Sequence, residues 1–275
     1  MLLSIEEFKN LSKYIYKYSG LQFDLDKKDL VENKLRRRMA ETNCLTYHEY
    51  YAKLQLDFVG SEVRKFIDLL TINETYFYRN MPQFDVFHSK LIPTLAESKM
   101  SARDNKIKIW SAGCSNGSEV YTIAILLLEK LPYFDHWNID ILATDISESA
   151  VKIAMDGLFE ERELKDIPFQ WRDNYFKKGE KFYHLSQRVK SMVRFDFLNL
   201  IKPQQYANVR GMDVVFCRNV LIYFDLETQK EIIKNIYDTM NYGGYIFLGH
   251  SESMSRLSKA FKMVRFGDDF VYQKE

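Results

Sequence analysis

Apolar residues first recur along the chain at helical spacing. Phe8, Leu11, Ile15 and Tyr18 fall three or four positions apart among charged neighbours, which predicts an amphipathic helix. Similar patterns predict helices over about 29–41, 47–54 and 62–70, punctuated by Gly20 and Gly60. No strand pattern precedes residue 106. Beyond it the period changes. Apolar, partly β-branched runs at 107–110, 139–143, 193–197, 213–217 and 245–249 alternate with helical stretches at about 119–130, 148–155 and 227–240. Such alternation implies βαβ units and a mostly parallel sheet. Two last runs, 261–266 and 270–273, flank Gly267-Asp268-Asp269 and predict a closing antiparallel hairpin. The stretch 157–192 breaks the alternation. Runs at 174–176 and 181–186 around Lys177-Lys178-Gly179-Glu180 predict a small antiparallel β-meander, with 189–193 leading into the next strand. The expected fold is α/β. A small all-helical domain covers 1–72, and an α/β domain covers 73–275 with a linker at 73–105 and the β-insert at 157–192.

The chain is 46% apolar, enough for a sizeable core, which excludes a disordered protein. Lys and Arg number 39 against 38 Asp and Glu, a net charge of +1, so wholesale neutralisation of nucleic-acid phosphates is disfavoured. No run approaches the roughly 18 apolar residues of a membrane span. The first residues lack the basic and apolar stretches of a signal peptide. Cys44, Cys114 and Cys217 stand far apart without a CxxC pair, so neither a zinc site nor a disulfide framework is expected. The expectations are a cytoplasmic protein, no membrane insertion, no nucleic-acid partner and no metal.

Ligands of open parallel sheets bind outside the carboxyl ends of the strands, so each strand end is informative. After 107–110 come Ser111-Ala112-Gly113-Cys114-Ser115-Asn116-Gly117, where Gly113 and Gly117 bracket a tight turn that a ligand can approach. The spacing is GxxxG and not the GxGxxG of dinucleotide sites. Asp145 lies 28 positions after Gly117, where an acidic residue can accept both ribose hydroxyls of a nucleoside. Asp145 or Ser147 equally suits the N-cap of the following helix. Asn199 beside Leu200 suits an adenine edge and face. Arg218-Asn219 at the end of a buried strand is costly without a role or partner, unless it simply caps the next turn.

Four strand ends thus converge on a nucleoside site without an NAD fingerprint, which resembles the class I S-adenosylmethionine-dependent methyltransferases. Ser111 and Ser115 replace the usual acidic residue and middle glycine of that superfamily's loop. A narrower resemblance covers nearly the whole chain. Asn73-Glu74-Thr75-Tyr76-Phe77-Tyr78-Arg79, Trp110-Ser111-Ala112-Gly113-Cys114-Ser115-Asn116-Gly117-Ser118-Glu119, Ala143-Thr144-Asp145-Ile146, Phe216-Cys217-Arg218-Asn219-Val220-Leu221-Ile222-Tyr223-Phe224 and Gly249-His250-Ser251-Glu252 are similar to motifs of the CheR family of chemotaxis receptor glutamate O-methyltransferases. The resemblance implies a Rossmann-like class I methyltransferase domain with an antiparallel C-terminal hairpin and an inserted β-subdomain. It implies methyl transfer from S-adenosylmethionine to glutamate side chains in the methylation region of chemoreceptors. Asn73, Thr75, Arg79 and Glu119 would line the methionine end of the cofactor, Asp145 would hold the ribose, and Asn199, Leu200, Asn219 and Val220 would border the adenine. Arg79 and Tyr223 fall on the family's two catalytic positions. Ser118-Glu119-Val120 stands where many members have Glu-Glu-Pro, so only Glu119 is carried over.

The chemistry agrees with the residues present. A solvated Glu has a pKa of about 4.3, so the nucleophile is ionised at neutral pH and needs no general base. The five histidines are scattered accordingly, and His250 is assigned to structure or to packing of the cofactor loop. Anion and sulfonium become ester and thioether, so charge disappears. A full bidentate clamp of Arg79 on the attacking carboxylate would stabilise the reactant more than the transition state. Arg79 is therefore expected to grip the cofactor carboxylate or to orient the substrate through one oxygen, with Tyr223 positioning the glutamate. Plain aromatic packing is the alternative for Tyr223. On the basic helix, Val31, Leu35 and Met39 form a packing stripe, and Lys34, Arg37 and Arg38 neighbour one another beside it. In the family this helix faces the acidic receptor, so these three are expected to dock substrate. Some members bind a receptor C-terminal pentapeptide through the β-insert and carry a longer Gly-rich turn there; the short Lys177-Lys178-Gly179-Glu180 turn predicts no such dependence. The chain is expected to act as a monomer. The rival functions are methylation of RNA or a small molecule, and non-catalytic docking on receptors. Asn219-Val220-Leu221 replaces the Pro-Pro expected of base methylation, and retention of Arg79 and Tyr223 disfavours a non-catalytic module.

Overall fold

A computed structural model describes residues 3–71, 74–267 and 269–275. Four helices come first: α1 (Ile5–Ser19), α2 (Lys28–Glu41), α3 (Tyr47–Leu56) and α4 (Ser61–Leu70). Local chemistry sets their ends. Ser4 accepts from the Glu7 N–H and Glu7 accepts from the Ser4 N–H, a capping box that Thr46 and Glu49 repeat on α3. Phe8, Leu11, Ile15, Val31, Leu35, Tyr50 and Phe66 form the buried core between them. The packing stripe of α2 is as expected, with Val31 and Leu35 buried and Met39 packed against the cluster.

Two short helices follow, α5 (Met81–Val86) and α6 (Ile92–Ser101), joined by a π-helical turn over Phe87–Leu91. This corrects the expectation of a linker at 73–105. Phe84, Phe87 and Leu91 are buried in the main core, and Phe84 and Phe87 pack on Phe216 of the central sheet. The broken helical period, with Pro82 and Pro93 at the two starts, hides these elements in the sequence.

The α/β part runs β1 (Lys106–Ala112), α7 (Ser118–Lys130), β2 (Asn138–Asp145), α8 (Glu148–Asp156), β3 (Leu158–Phe159), α9 (Phe169–Tyr175), β4 (Phe176–Lys178), β5 (Tyr183–Leu185), α10 (Gln187–Lys190), β6 (Val193–Phe197), β7 (Met212–Cys217), α11 (Leu226–Thr239), β8 (Met240–Leu248), β9 (Phe261–Phe266) and β10 (Asp269–Lys274). The main sheet has the order β6-β2-β1-β7-β8-β10-β9. Its first five strands are parallel, and β10 is antiparallel to both β8 and β9. Strand side chains alternate between two cores: Ile109, Val214 and Phe216 enter one, Trp110, Val215 and Ile246 the other. The order reverses at β1, where the chain passes from β6 back across to β7. The ends of β1, β2, β6 and β7 therefore open onto one crevice.

The insert is a three-stranded sheet of order β3-β5-β4. It differs from the expected meander in three details. Asn174 and Tyr175 end a helix, Lys177 and Lys178 pair with His184 and Tyr183, and 187–190 form a helical turn. Phe159 and Phe176 of this sheet close edge-on around the buried Phe77, with centroids 4.7 and 5.1 Å away.

Candidate active site

The strand ends line a cavity of about 580 Å³, closed on its far side by residues 21–30 of the helical part. At its floor, the Gly113 and Cys114 N–H groups both donate to the Thr144 carbonyl, tying the loop after β1 to β2. Gly113 has φ +88°, and a Cβ there would lie 2.4 Å from Val220 Cγ2. Only glycine lets the two loops approach at that backbone conformation. Asp145 is buried with both carboxylate oxygens held: Oδ2 accepts from the Ser115 N–H and Oδ1 from the Ser147 N–H, each at 2.9 Å. Burial pushes its pKa up, and the backbone donors of Ser147, Ser115 and Ile146 oppose the shift. Ser147, and not Asp145, caps α8, accepting from the Ala150 N–H at 3.0 Å. Asp145 is thus not the N-cap of α8, and it is among the residues that line the cavity.

Glu119 lines the cavity from the first turn of α7. Its Oε1 accepts from Ser111 Oγ and its Oε2 from Arg218 Nη1, both at 2.9 Å. Arg218 is buried, and each of its three guanidinium nitrogens donates a hydrogen bond. Nε donates to Gln83 Oε1 and Nη2 to the Arg79 carbonyl, each at 2.6 Å, while the guanidinium lies 4.9 Å from the Phe84 ring centre. The cost of burying this cation is met by a ring of acceptors. Arg79 itself is partly buried at the cavity wall, between Tyr78 and Asn80, which both take left-handed backbone conformations. Its Nη1 donates to the Glu74 carbonyl at 2.8 Å. Tyr223 also lines the cavity, 37% exposed. Burial raises the pKa of its phenol; nearby Arg79 opposes the shift, and Glu252, Asp145 and Glu74 add to it. The hydroxyl is therefore protonated at neutral pH and able to donate.

Thr75, Arg79, Gly113, Glu119, Asp145, Asn199, Leu200, Asn219, Val220 and Tyr223 all line this one cavity. Asn73 lies outside the described residues. The Asn199 amide donates to the Tyr18 carbonyl at 2.8 Å and accepts from the Ile201 N–H at 3.2 Å, which ties the sheet to the helical part. One expectation needs correction. Arg38 is buried, with Nε and Nη2 donating to Glu62 at 3.0 and 2.7 Å, so it is not a docking residue. Arg37 remains at the surface, paired with Glu41. His250 is exposed and does not line the cavity.

Sequence reasoning missed Gln83 and Glu252, and it left Arg218 without an assignment. The uncompensated charge at a buried strand end was the signal for Arg218, and the Gly249-His250-Ser251-Glu252 motif was the signal for Glu252.

The cavity fits S-adenosylmethionine on structural grounds. Its volume suits a nucleoside carrying an amino-acid tail. It offers a glycine turn for close approach, a held carboxylate at the β2 end, and a second carboxylate paired with Arg218. Among the described residues, no group of three or more His, Cys, Asp or Glu is arranged to hold a metal ion, and no helix is long and apolar enough to cross a membrane. A seven-stranded sheet with an antiparallel hairpin at one edge, a glycine turn after its first strand and an acid at the second define a class I S-adenosylmethionine-dependent methyltransferase. Two family models match the chain: the CheR methyltransferase all-alpha domain over residues 6–71, and the CheR methyltransferase SAM-binding domain over 73–268. Chemotaxis protein methyltransferase 2 of Vibrio cholerae is 33% identical over 275 residues, covering 100% of this chain and 94% of that protein. The chemotaxis protein methyltransferases of Borreliella burgdorferi and Escherichia coli are each 32% identical, covering 90% and 96% of this chain and 88% and 90% of their own lengths. The chain belongs to the CheR methyltransferase family. Its reaction is methylation of glutamate side chains on chemotaxis receptors, with S-adenosylmethionine as donor.

Proposed function

We propose that Arg79 and Tyr223 align the receptor glutamate for methyl transfer, and that Asp145, Glu119 and the loops around Gly113 and Val220 seat the donor. The observation that carries this reading is the convergence of these side chains on one cavity. S-adenosylmethionine supplies an electrophilic methyl group on a sulfonium. The protein's own task is alignment in a site sheltered from water, and alignment alone can contribute roughly 7–11 kcal/mol. Nη1 of Arg79 is engaged at the Glu74 carbonyl, which leaves Nε and Nη2 for the carboxylate; because charge is lost in the transition state, contact through one oxygen serves the reaction better than a symmetric clamp. Tyr223, protonated, donates to the other carboxylate oxygen.

Receptor recognition is assigned to the helical region, residues 1–72, and catalysis to 73–275. Lys34 and Arg37 of α2 face the acidic receptor, without Arg38. The connection between β4 and β5 spans only 179–182, where the Gly179 N–H donates to the Phe182 carbonyl. That tightness supports independence from a receptor C-terminal pentapeptide; micromolar binding of such a peptide in calorimetry would refute it. The enzyme acts as a cytoplasmic monomer.

Labelled methyl transfer to receptor-containing membranes tests the whole reading. The expected product releases methanol in base, the mark of a carboxyl ester. Arg79→Ala and Tyr223→Phe are each expected to lower kcat, and an unchanged kcat in both removes the proposed roles.

A further inference from the structure

The loop after β7 carries Asn219, Val220 and Tyr223, and the N–H groups of 219–222 all point away from the loop's own acceptors. Its anchor comes from the loop after β8. Glu252 is buried, and its carboxylate accepts from five backbone N–H groups. Oε2 takes those of Gly249 and Asn219 at 2.6 and 2.9 Å. Oε1 takes those of Val220, Leu221 and Ile222 at 3.0, 2.7 and 3.3 Å. Four successive amides of one loop thus converge on a single anion, a backbone nest. Asn219 has φ +58°, the left-handed turn that lets its amide point the same way as its successors'. Gly249 completes the contact, because a Cβ there would lie 2.7 Å from both the Asn219 nitrogen and Glu252 Oε2. A carboxylate only accepts, whereas an amide presents one acceptor and one donor. No neutral isostere can serve both sets of N–H groups.

We propose that Glu252 is a positioning residue for methyl transfer, acting through the 219–222 loop on the placement of Tyr223. The Tyr223 N–H closes that loop on the Val220 carbonyl, so a shift of the nest is carried directly to the phenol. Displacement of a reacting group's support by about 1 Å can cost roughly 10²-fold in rate. The inference rests on the role proposed for Tyr223, and a double-mutant cycle separates the two.

kcat is measured for the full-length protein, Glu252→Gln, Tyr223→Phe and the double variant, on receptor membranes well below each variant's melting temperature. Glu252→Gln is expected to lower kcat about 30- to 100-fold and, in the Tyr223→Phe background, less than about threefold. A merely structural role would cost the same factor in both backgrounds. If Glu252→Gln does not fold, Glu252→Asp, which keeps the charge but withdraws it by one methylene, carries the same cycle. Tyr223→Phe at the parental rate refutes the role of Tyr223 and this route from Glu252 with it. An impaired Tyr223→Phe with equal costs in both backgrounds, or an unchanged kcat in the Glu252 variant, overturns the Glu252 inference alone.

Discussion

Two buried arginines face carboxylates in this molecule, and they do different work. Arg38 of α2 forms a two-pronged pair with Glu62, whose Oε1 also accepts from the Tyr50 hydroxyl, and it meets Glu41 on its own helix. All its partners belong to the helical region, and none lines the cavity. Arg218 spends one arm on Glu119 and the others on Gln83 and the Arg79 backbone. Every group it holds stands beside the site. The chemistry of the two pairs is the same, and removing one partner of either leaves an uncompensated buried charge. What a buried ion pair does depends on what it is fastened to. Arg38 fixes the packing of one helix on another, and Arg218 fixes the backbone of Arg79, the residue proposed to orient the substrate.

The largest expected effect tests that contrast directly. Arg218→Met should lower kcat by about 10²-fold or more through misplacement of Arg79, with stability falling by about 3–5 kcal/mol in denaturant titrations. Arg38→Met should lose comparable stability, yet its kcat below the melting transition should stay within about threefold of the parent. If both variants lose kcat alike, the distinction between the two sites fails. Asp145→Asn should weaken S-adenosylhomocysteine binding by about 10- to 100-fold in calorimetry, the worth of a charge-assisted hydrogen bond. The pH dependence has a definite sign. Burial raises the pKa of Asp145, so on acidification the carboxylate is protonated at a higher pH than a solvated aspartate would be. The cofactor affinity that the ribose role proposed for Asp145 supplies should be present above that pKa and be lost as pH falls through it. Asp145→Asn should flatten that part of the profile. The smallest effect belongs to the surface of α2. Lys34→Glu or Arg37→Glu should raise the KM for receptor about two- to fivefold, more at low salt, and leave the KM for S-adenosylmethionine unchanged. A matching change in both constants would detach the basic face from receptor docking.

Much of the site was legible because the signals are local. Gly113 precedes a helix directly after a buried strand, and Asp145 ends the next strand, so a parallel sheet puts both on one rim whatever their side chains touch. Arg38 shows where such reading stops. Lys34, Arg37 and Arg38 look equivalent along the sequence, but α2 turns Arg38 inward against Glu62 of α4 and leaves Arg37 at the surface. A helical period locates a buried stripe to within a residue or so, and Arg38 sits at its edge. Asn199 marks a related limit. An amide at a strand end suits an adenine, but its bond to the Tyr18 carbonyl, 181 residues away in sequence, leaves no local signal.

The order of elements, the parallel sheet and the family motifs were written in the chain itself, since periods of two and 3.6 residues and glycine positions report the local environment of each residue. The partners of the polar groups were decided only on folding. Arg218 meets the Arg79 carbonyl across 139 residues, and Glu252 meets the Asn219 amide across 33. Such bonds depend on where the strands and loops converge in space, and no local pattern encodes that distance.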